Sequence, residues 1–381
     1  MRRLFLVAII FLLAGPMFAQ ESVPEISFQS VPDFFKYPYE MNLGDMAAVA
    51  VDSKGNIYML SRSNISGPAY AQMGAQILEF DKTGKFVREV APRLYAWSFV
   101  HSIRIDKEDY IWVADKGSDM VVKINSNTGH VAMIFGRRAE ASDDGGGAPR
   151  WHIPDRGTPK LPPPSESDFR QPTDMAWDPQ GNTFISDGYV NSRVAAFNKD
   201  GVPIRQFGEF GKGPGQFSNP HSIAVDAKGN VYVADRGNGR TQVFDNDGKY
   251  LREIRLQNIA IPPGIKVWNG LPGVGVNAPA SPWSLCITPG PTQYLYIGDG
   301  YPGRVYKLTL EGKVLGMFGK VGRGLGQFGW VHGLACPSEN ELYVADENNW
   351  RVQKIILHPD KQKEAAILRS DSRSFVFEAR K

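Results

Sequence analysis

The sequence predicts an all-β protein, a six-bladed β-propeller, from three observations. A pattern of short apolar runs recurs six times along the 381 residues. The runs are rich in β-branched and aromatic residues and are separated by turn signals such as "DAKGN" and "DNDGK". Each repeat is a meander that cannot bury its faces alone, and a repeat of this period indicates stacked or radially arranged units.

The start of the chain has the composition of a secretory signal peptide. A basic beginning, "MRR", precedes an apolar run over 4–13 and small residues up to Ala19. That run is too short to anchor the chain in a bilayer. We therefore predict a signal peptide over 1–19 and a propeller domain over 20–381. No cysteine lies directly after the apolar run, so bacterial lipidation is not expected. The predicted location is secreted or periplasmic.

The six repeats cover most of the predicted propeller. The last one lacks an outer strand after Leu357, so one terminus is expected to complete its blade. The candidates are "FFKYPYEM" (34–41) and "SFVFEA" (374–379), of which we favour the N-terminal segment. The repeats begin at Ala47, His101, Thr173, His221, Trp283 and His332.

One long segment interrupts the period between the second and third repeats. Residues 137–170 are rich in proline, glycine and charge, and they exceed an ordinary connection. We expect either a surface loop or a lid over one mouth of the channel. The glycine-rich runs over 211–217 and 322–328 lack the lysine and opening helix of a phosphate-binding loop, so they are predicted to connect blades.

Composition narrows the possible partners. Lys and Arg number 43 and Asp and Glu number 40, without a block of like charge. Nucleic acid and acidic membrane surfaces are therefore not expected as partners. After removal of the signal peptide we expect a protein without membrane attachment, and a monomer.

The two cysteines are predicted to be buried free thiols. Cys286 and Cys336 fall at adjacent positions of equivalent strands. Side chains at adjacent strand positions point to opposite faces, which argues against a disulfide, although export would permit one.

Histidine recurs at one register position of the repeat. The first position of the innermost strand is histidine in the second, fourth and sixth repeats, as His101, His221 and His332. Alternate blades of a six-bladed ring lie about 120° apart and their innermost strands line the axis, so the three imidazoles should converge. Three histidines with an open position are typical of a catalytic zinc site.

A second register column follows the second strand of each repeat. It reads Arg62, Lys116, Gly188, Arg236, Gly300 and Glu347. We expect Arg62 and Arg236 either to face the metal level and bind a carboxylate or to form surface salt bridges. Tyr189 and Tyr301 come directly after this column. A tyrosine beside a metal and arginines can have a lowered pKa and act as a base.

The repeats resemble NHL repeats, in runs such as "GQFSNPHSIAVD" and "GNVYVADRGNGRTQVF". The third and fourth repeats together, with "QPTDMAWDPQGNTFISDGYVNSRVAAF", resemble peptidyl-α-hydroxyglycine α-amidating lyase. The resemblance implies a zinc ion in the channel, held by three histidines that match His101, His221 and His332. It further implies a catalytic tyrosine that matches Tyr189 in "SDGYVNSR".

The resemblance also assigns two active-site arginines, which match Arg62 and Arg236. Several positions depart from the family. Its disulfides are absent, and its calcium-binding aspartate after the third histidine is Gly333 here, so a calcium ion is doubtful. A methionine of the family is Trp330, which we assign with Tyr301 to the substrate pocket.

The function implied by the resemblance is that of a metal-dependent carbon–nitrogen lyase. It would cleave an N-acyl-α-hydroxyglycine, as a peptide or a small molecule, to a primary amide and glyoxylate. No hydroxylating domain is present in the chain, so another protein would make the substrate. Two alternatives are an exported propeller that binds a peptide or protein around a structural metal, and a lactonase-type propeller. The histidine column argues against the lactonase, whose sites use carboxylate and amide ligands.

Overall fold

The structure is a computed structural model that describes residues 23–62, 75–138, 168–256, 259 and 280–361. Six four-stranded antiparallel sheets succeed one another in a closed ring, with the innermost strands of neighbouring sheets in contact. The predicted six-bladed β-propeller is therefore confirmed. The predicted signal peptide lies outside these residues, as does all but the ends of the 137–170 insertion. Within the described part, no helix is long and apolar enough to cross a membrane.

The strands of the first half are β1 (Phe28–Ser30), β2 (Asp45–Val51), β3 (Ile57–Arg62), β4 (Gln76–Phe80), β5 (Phe86–Val90), β6 (Val100–Ile105), β7 (Tyr110–Asp115), β8 (Met120–Asn125), β9 (Val131–Gly136), β10 (Asp174–Trp177), β11 (Thr183–Asp187), β12 (Arg193–Phe197), β13 (Pro203–Phe207) and β14 (Glu209–Phe210). Those of the second half are β15 (Gln216–Phe217), β16 (Pro220–Val225), β17 (Val231–Asp235), β18 (Arg240–Phe244), β19 (Tyr250–Ile254), β20 (Pro282–Ile287), β21 (Tyr294–Asp299), β22 (Val305–Thr309), β23 (Val314–Phe318), β24 (Lys320–Val321), β25 (Gln327–Phe328), β26 (Val331–Ala335), β27 (Glu341–Asp346) and β28 (Arg351–Leu357).

Blades 1 to 5 are β2–β5, β6–β9, β10–β13, β16–β19 and β20–β23, and blade 6 is β26–β28 with β1. The short parallel pairs β14–β15 and β24–β25 enclose the two glycine-rich runs, which therefore connect blades as predicted. Short 3-10 turns at Arg236–Asn238 and Glu347–Asn349 follow the second strands of blades 4 and 6.

The N-terminus closes the ring, but not through the segment expected. Strand β1 pairs antiparallel with β28, with Phe28 opposite Leu357. The predicted segment 34–41 instead packs its aromatic side chains on the blades, with the rings of Phe35 and Phe80 5.2 Å apart. Phe35 is buried in the core while Tyr39 is exposed, and the segment packs on the blades rather than extending a sheet. The other candidate, 374–379, lies outside the described residues.

The prediction of two free thiols is wrong, because Cys286 and Cys336 form a disulfide. Their Cα atoms are 6.1 Å apart, within the range that a disulfide spans. Cys286 lies inside β20, but β26 ends at Ala335, one residue before Cys336. The alternation of side chains along a strand no longer fixes the direction of Cys336, which turns toward the neighbouring blade.

Buried aspartates hold the loops at the mouth of the channel where the second strands end. Asp115 accepts the backbone N–H groups of Ser98 and Phe99 at 2.7 and 2.9 Å. Asp235 accepts the N–H of Ser218 in the same way, at 2.7 Å. These carboxylates are turn-forming acceptors, as their recurrence in the repeat predicts. They fix the chain just before each innermost strand begins, and so set the height of the first residues of that strand.

Candidate metal centre and active site

Three histidines meet on the propeller axis. Strands β6, β16 and β26 carry His101, His221 and His332, all buried. One ring nitrogen from each lies within 4.8 Å of the others. The closest pair is Nε2 of His101 and Nε2 of His221, 3.2 Å apart. The structure thus brings together the three residues that the register column selects.

Each imidazole is oriented by a backbone carbonyl of the next blade. The Nδ1 atom of His101 lies 2.7 Å from the carbonyl oxygen of Thr173, and Nδ1 of His221 lies 2.7 Å from that of Trp283. Nδ1 of His332 lies 2.6 Å from the carbonyl oxygen of Ala47. A carbonyl can only accept, so each Nδ1 carries the proton and donates. Each Nε2 therefore presents a lone pair to the axis, as metal-binding histidines do.

This arrangement fits a divalent cation. Burial lowers the pKa of His101 and His221 well below the ordinary value, and it lowers the pKa of His332 to about 4. The imidazoles are therefore neutral, and two lone pairs 3.2 Å apart cannot hydrogen-bond to each other. Zn–N bonds of about 2.0–2.1 Å in tetrahedral geometry separate two ligand nitrogens by about 3.3 Å. A zinc ion would thus satisfy Nε2 of His101 and Nε2 of His221 at close to their present separation, with Nε2 of His332 within 4.8 Å of both.

The Tyr189 hydroxyl lies beside two of these nitrogens. It is 3.2 Å from Nε2 of His101 and 3.3 Å from Nε2 of His221. Tyr189 follows β11 in a turn that packs tightly on the next blade. A Cβ at Gly188 would lie 1.7 Å from the carbonyl oxygen of Pro220, so glycine is needed for the turn to reach the axis.

Two cations pack on the ring of Tyr189. The Lys116 ammonium lies 4.1 Å from the ring centroid, and the Arg236 guanidinium lies 5.4 Å from it. Burial alone would raise the pKa of Tyr189, but the charges of Lys116, Arg236 and Arg62 outweigh it and lower the pKa below its ordinary value. Burial also lowers the pKa of Lys116. The surrounding cations therefore favour the ionised form of the phenol.

The two predicted arginines are buried, but their surroundings differ. Arg62 donates from Nε to the carbonyl oxygen of Val100 at 2.8 Å and forms an ion pair with Glu347. Glu347 Oε1 is also 4.0 Å from Nε2 of His332. Arg236 instead stacks on Trp283, with 3.9 Å between its guanidinium carbon and the ring centroid. Of the two alternatives, surface salt bridges are therefore excluded for both arginines.

Aromatic rings form one wall of the site. Trp283 lies 4.6 Å from the His221 ring and 4.3 Å from Trp330, between ring centroids. Gly300 packs against both indoles, and a Cβ there would lie 2.9 Å from each indole nitrogen. Tyr301 follows Gly300 and accepts the N–H of Ala280 through its carbonyl, at 3.0 Å. Tyr301 is thus next to this wall only in sequence, as the residue after Gly300, whereas the ring of Trp330 is part of the wall.

Comparisons with known proteins give the same resemblance as the motifs. A family described as "6-bladed beta-propeller" matches residues 173–262. Peptidyl-glycine alpha-amidating monooxygenase B of Xenopus laevis is 28% identical over 334 residues, 80% of this chain and 33% of that protein. Peptidyl-alpha-hydroxyglycine alpha-amidating lyase 1 of Drosophila melanogaster is 26% identical over 377 residues, 90% of this chain and 64% of that protein. NHL repeat-containing protein 3 of Homo sapiens is 30% identical over 57% of this chain and 56% of its own length.

The resemblance to amidating lyases and NHL-repeat proteins is confirmed. The chain spans about a third of the length of the monooxygenases that it matches first. Among solved structures, a protein of unknown function from Bacteroides thetaiotaomicron superposes with a TM-score of 0.56 at 13% identity, over 88% of this chain and 77% of that one. That likeness shows the fold alone.

Two residues of the site went unselected in the sequence although the signal was present. Lys116 and Glu347 stand in the same column as Arg62 and Arg236, each fifteen positions after a histidine of its own blade. Lys116 contacts the ring of Tyr189, and Glu347 pairs with Arg62. The column therefore supplies four of the charged residues of the site, not two.

Below the histidines, an arginine crosses the axis. Arg104 donates to both carboxylate oxygens of Asp174, at 2.9 and 2.5 Å, and to the carbonyl oxygens of Leu285 and Leu334, at 3.0 and 3.2 Å. A Cβ at Gly333 would lie 2.7 Å from the Cα of Ala48, so an aspartate side chain does not fit there without movement.

Arg104 also forms the floor of the site. A water-sized cavity of about 20 Å³ lies between its guanidinium and the three imidazoles. A larger cavity of about 330 Å³, lined in part by the disulfide, opens on its other side. Arg104 therefore separates the imidazoles from the larger cavity.

Proposed function

We propose that this protein is an exported zinc-dependent lyase that cleaves N-acyl-α-hydroxyglycine to a primary amide and glyoxylate. The observation that carries the proposal is the Tyr189 hydroxyl at 3.2 and 3.3 Å from two of three convergent Nε2 atoms. A proton acceptor is thereby held beside the place where the α-hydroxyl of a substrate would lie. Relatives named amidating lyases support the same reaction class.

His101, His221 and His332 would hold the zinc ion through Nε2. When bound, zinc supplies Lewis-acid polarisation of the hydroxyl and carboxylate oxygens of the substrate. The carbonyls that accept from each Nδ1 keep the imidazoles in the tautomer that this binding needs. The Arg104 floor leaves the open side toward Tyr189.

Tyr189 acts as the base for the α-hydroxyl proton. When that proton leaves, the oxygen forms the aldehyde of glyoxylate and the carbon–nitrogen bond breaks. The bonding electrons go to nitrogen, and Tyr189 returns the proton there, which yields the primary amide. Atoms and charge balance without a further reactant.

The cations serve two sites of negative charge. Lys116 and Arg236 face the ring of Tyr189, where the phenolate charge develops, at 4.1 and 5.4 Å. Arg236 is the group we assign to the substrate carboxylate. Arg62 is already paired with Glu347, so its charge is partly balanced before the substrate binds. We assign Arg62 the role of positioning the Val100 carbonyl and Glu347, and not that of binding the substrate carboxylate by itself.

The test is release of glyoxylate from α-hydroxyhippurate by protein with a full complement of zinc. Tyr189→Phe should keep the metal and lower kcat by about 100-fold or more, because a general base contributes about 10²–10⁴-fold. His221→Ala should lose zinc by elemental analysis. If zinc-loaded wild type releases no glyoxylate from this substrate or from a hydroxyglycine-extended peptide, the lyase proposal is wrong, and a peptide-binding propeller becomes the better interpretation. Export is tested by the N-terminal sequence of the mature protein, which should begin near Gln20.

A further inference from the structure

A tryptophan at the rim of the site occupies a turn position that is glycine in blade 4. The short 3-10 turns of blades 4 and 6 end in the same left-handed conformation, at Gly239 with a φ of 63° and at Trp350 with a φ of 54°. The asparagine before each of them, Asn238 or Asn349, donates to the aspartate at the end of the second strand at 2.8 Å. The two turns are therefore built alike, and this turn does not need a large side chain.

The side chain of Trp350 is held in place without being buried. A bulky residue at positive φ is strained, and such strain collects at sites that bind ligands. Core packing does not compensate for the strain, because Trp350 is 58% exposed. The indole Nε1 donates to Oδ1 of Asp45 in blade 1 at 2.8 Å, which restricts the orientation of the exposed ring. The fold of the turn therefore does not account for the presence of this ring.

The hydrogen bond to Asp45 places the indole on the Tyr189 side of the histidines. Asp45 is the register partner of Arg62, at the end of the second strand of blade 1, and Tyr189 follows the end of the second strand in blade 3. Two residues after Asp45, the carbonyl oxygen of Ala47 accepts the Nδ1 proton of His332. Two strand residues span about 7 Å, so Asp45 lies about that far along the strand from the level of the histidines. The indole is therefore within reach of a group attached to a ligand at the metal level.

We propose that Trp350 is a stacking platform for a flat apolar group, such as a phenyl ring, on the acyl chain of the substrate. The indole N–H lies in the plane of the ring, so Asp45 occupies an edge and leaves a face of the ring to a ligand. Contacts between aromatic rings stabilise a complex beyond the area that they bury. A 3-phenylpropanoyl group is long enough to reach from the reacting carbon to a ring at this height. This inference rests on the proposed lyase function for the bond that is cleaved, whereas the ring contact requires only binding.

The test compares two substrates that differ by one phenyl ring, 3-phenylpropanoyl-α-hydroxyglycine and propanoyl-α-hydroxyglycine. For zinc-loaded wild type we expect kcat/KM for glyoxylate release to favour the phenyl compound by about 5- to 10-fold, within the range for a pair of aromatic rings. Trp350→Gly introduces the residue that the matching turn has in blade 4, and it should reduce the preference to less than about twofold. Trp350→Phe keeps a ring and should retain a preference of about threefold or more.

Tyr39→Gly is the control, because it also removes an exposed aromatic ring, but from the segment that contacts the turn between β4 and β5 through the N–H of Lys36 and the carbonyl of Gly84. It should keep the wild-type preference. A Trp350→Gly variant that discriminates as strongly as Tyr39→Gly would overturn the inference, as would a wild type without preference.

If the wild type cleaves neither substrate, the lyase proposal fails by itself. The platform is then decided by calorimetry of the zinc-loaded protein with 3-phenylpropanoyl-glycine and propanoyl-glycine. The phenyl compound should bind about 5- to 10-fold more tightly to the wild type and less than about twofold more tightly to Trp350→Gly. Binding of neither compound, or a ratio that Trp350→Gly leaves unchanged, overturns the inference.

Discussion

Replacement of Arg104 by methionine is expected to destabilise the propeller strongly, because this arginine joins five blades across the axis. Besides Asp174 and the two carbonyls of blades 5 and 6, its guanidinium lies 3.3 Å from Ser222 Oγ in blade 4. Asp174 is 2% exposed, and the substitution would remove the cation that its carboxylate pairs with. Removal of one partner from a buried ion pair costs about 3–5 kcal/mol. We therefore expect a loss of about 4 kcal/mol in the free energy of unfolding.

The measurement is urea unfolding of metal-free protein, followed by tryptophan fluorescence, so that zinc affinity does not enter. Arg255→Met is the control, since Arg255 pairs with Glu253 at 2.6 Å on the surface and should cost about 0–1 kcal/mol. The double variant with Asp174→Asn should recover about half of the loss, because the unpaired charge is then absent. If Arg104→Met and Arg255→Met are equally stable, the reasoning about the axial ion pair is refuted.

Three further predictions concern stability. Acidification of the metal-free protein below the unfolded histidine pKa of about 6.5 should lower the free energy of unfolding toward pH 4, because His332 has a folded pKa of about 4 and the unfolded chain binds the proton first. The expected slope for this residue is about 1.4 kcal/mol per pH unit, and His332→Gln should show a shallower dependence in urea titrations at each pH. Cys286→Ser should cost about 4 kcal/mol, since the disulfide closes a loop with a sequence separation of 50; equal unfolding midpoints with and without reductant would contradict this. Deletion of the residues up to Ser30 should leave the edge of β28 unpaired and promote oligomers, which light scattering detects; a monomer with unchanged stability would show that β1 is dispensable.

The sequence predicts the fold and the histidine triad because both depend on the phase of a repeat. The innermost strands of blades 2, 4 and 6 share the same pairing register, with an irregularity at the histidine in each. A register column therefore maps onto one level of the axis, and His101, His221 and His332 could be selected before any coordinates. The same register column also contains Lys116 and Glu347. They were not selected, because nothing in the sequence assigns these two charged residues to the site rather than to a turn. The repeat register predicts the direction of a side chain only within a strand, and not beyond its end.

The two wrong predictions both lie beyond that limit. Cys336 is one residue past β26, and its direction follows from the turn and from the neighbouring blade. The closing strand is only three residues long, Phe28–Ser30, without an alternating pattern. The aromatic run at 34–41 resembles a strand in sequence, but it packs on the blades through Phe35 instead.

The alternation of histidine around the ring has a physical cause in the structure. Each Nδ1 takes its acceptor from the same register position of the next blade, so every histidine uses one neighbour's carbonyl. One residue that supplies such a carbonyl, Thr173, also makes a side-chain contact of its own. It is fully buried and donates its hydroxyl to the carbonyl oxygen of Pro220 at 2.9 Å. A fourth imidazole there would displace that bond and bring a further lone pair to an axis already crowded at 3.2 Å. Six blades therefore support three ligands, with three carbonyls between them, and the open side that remains is the one beside Tyr189.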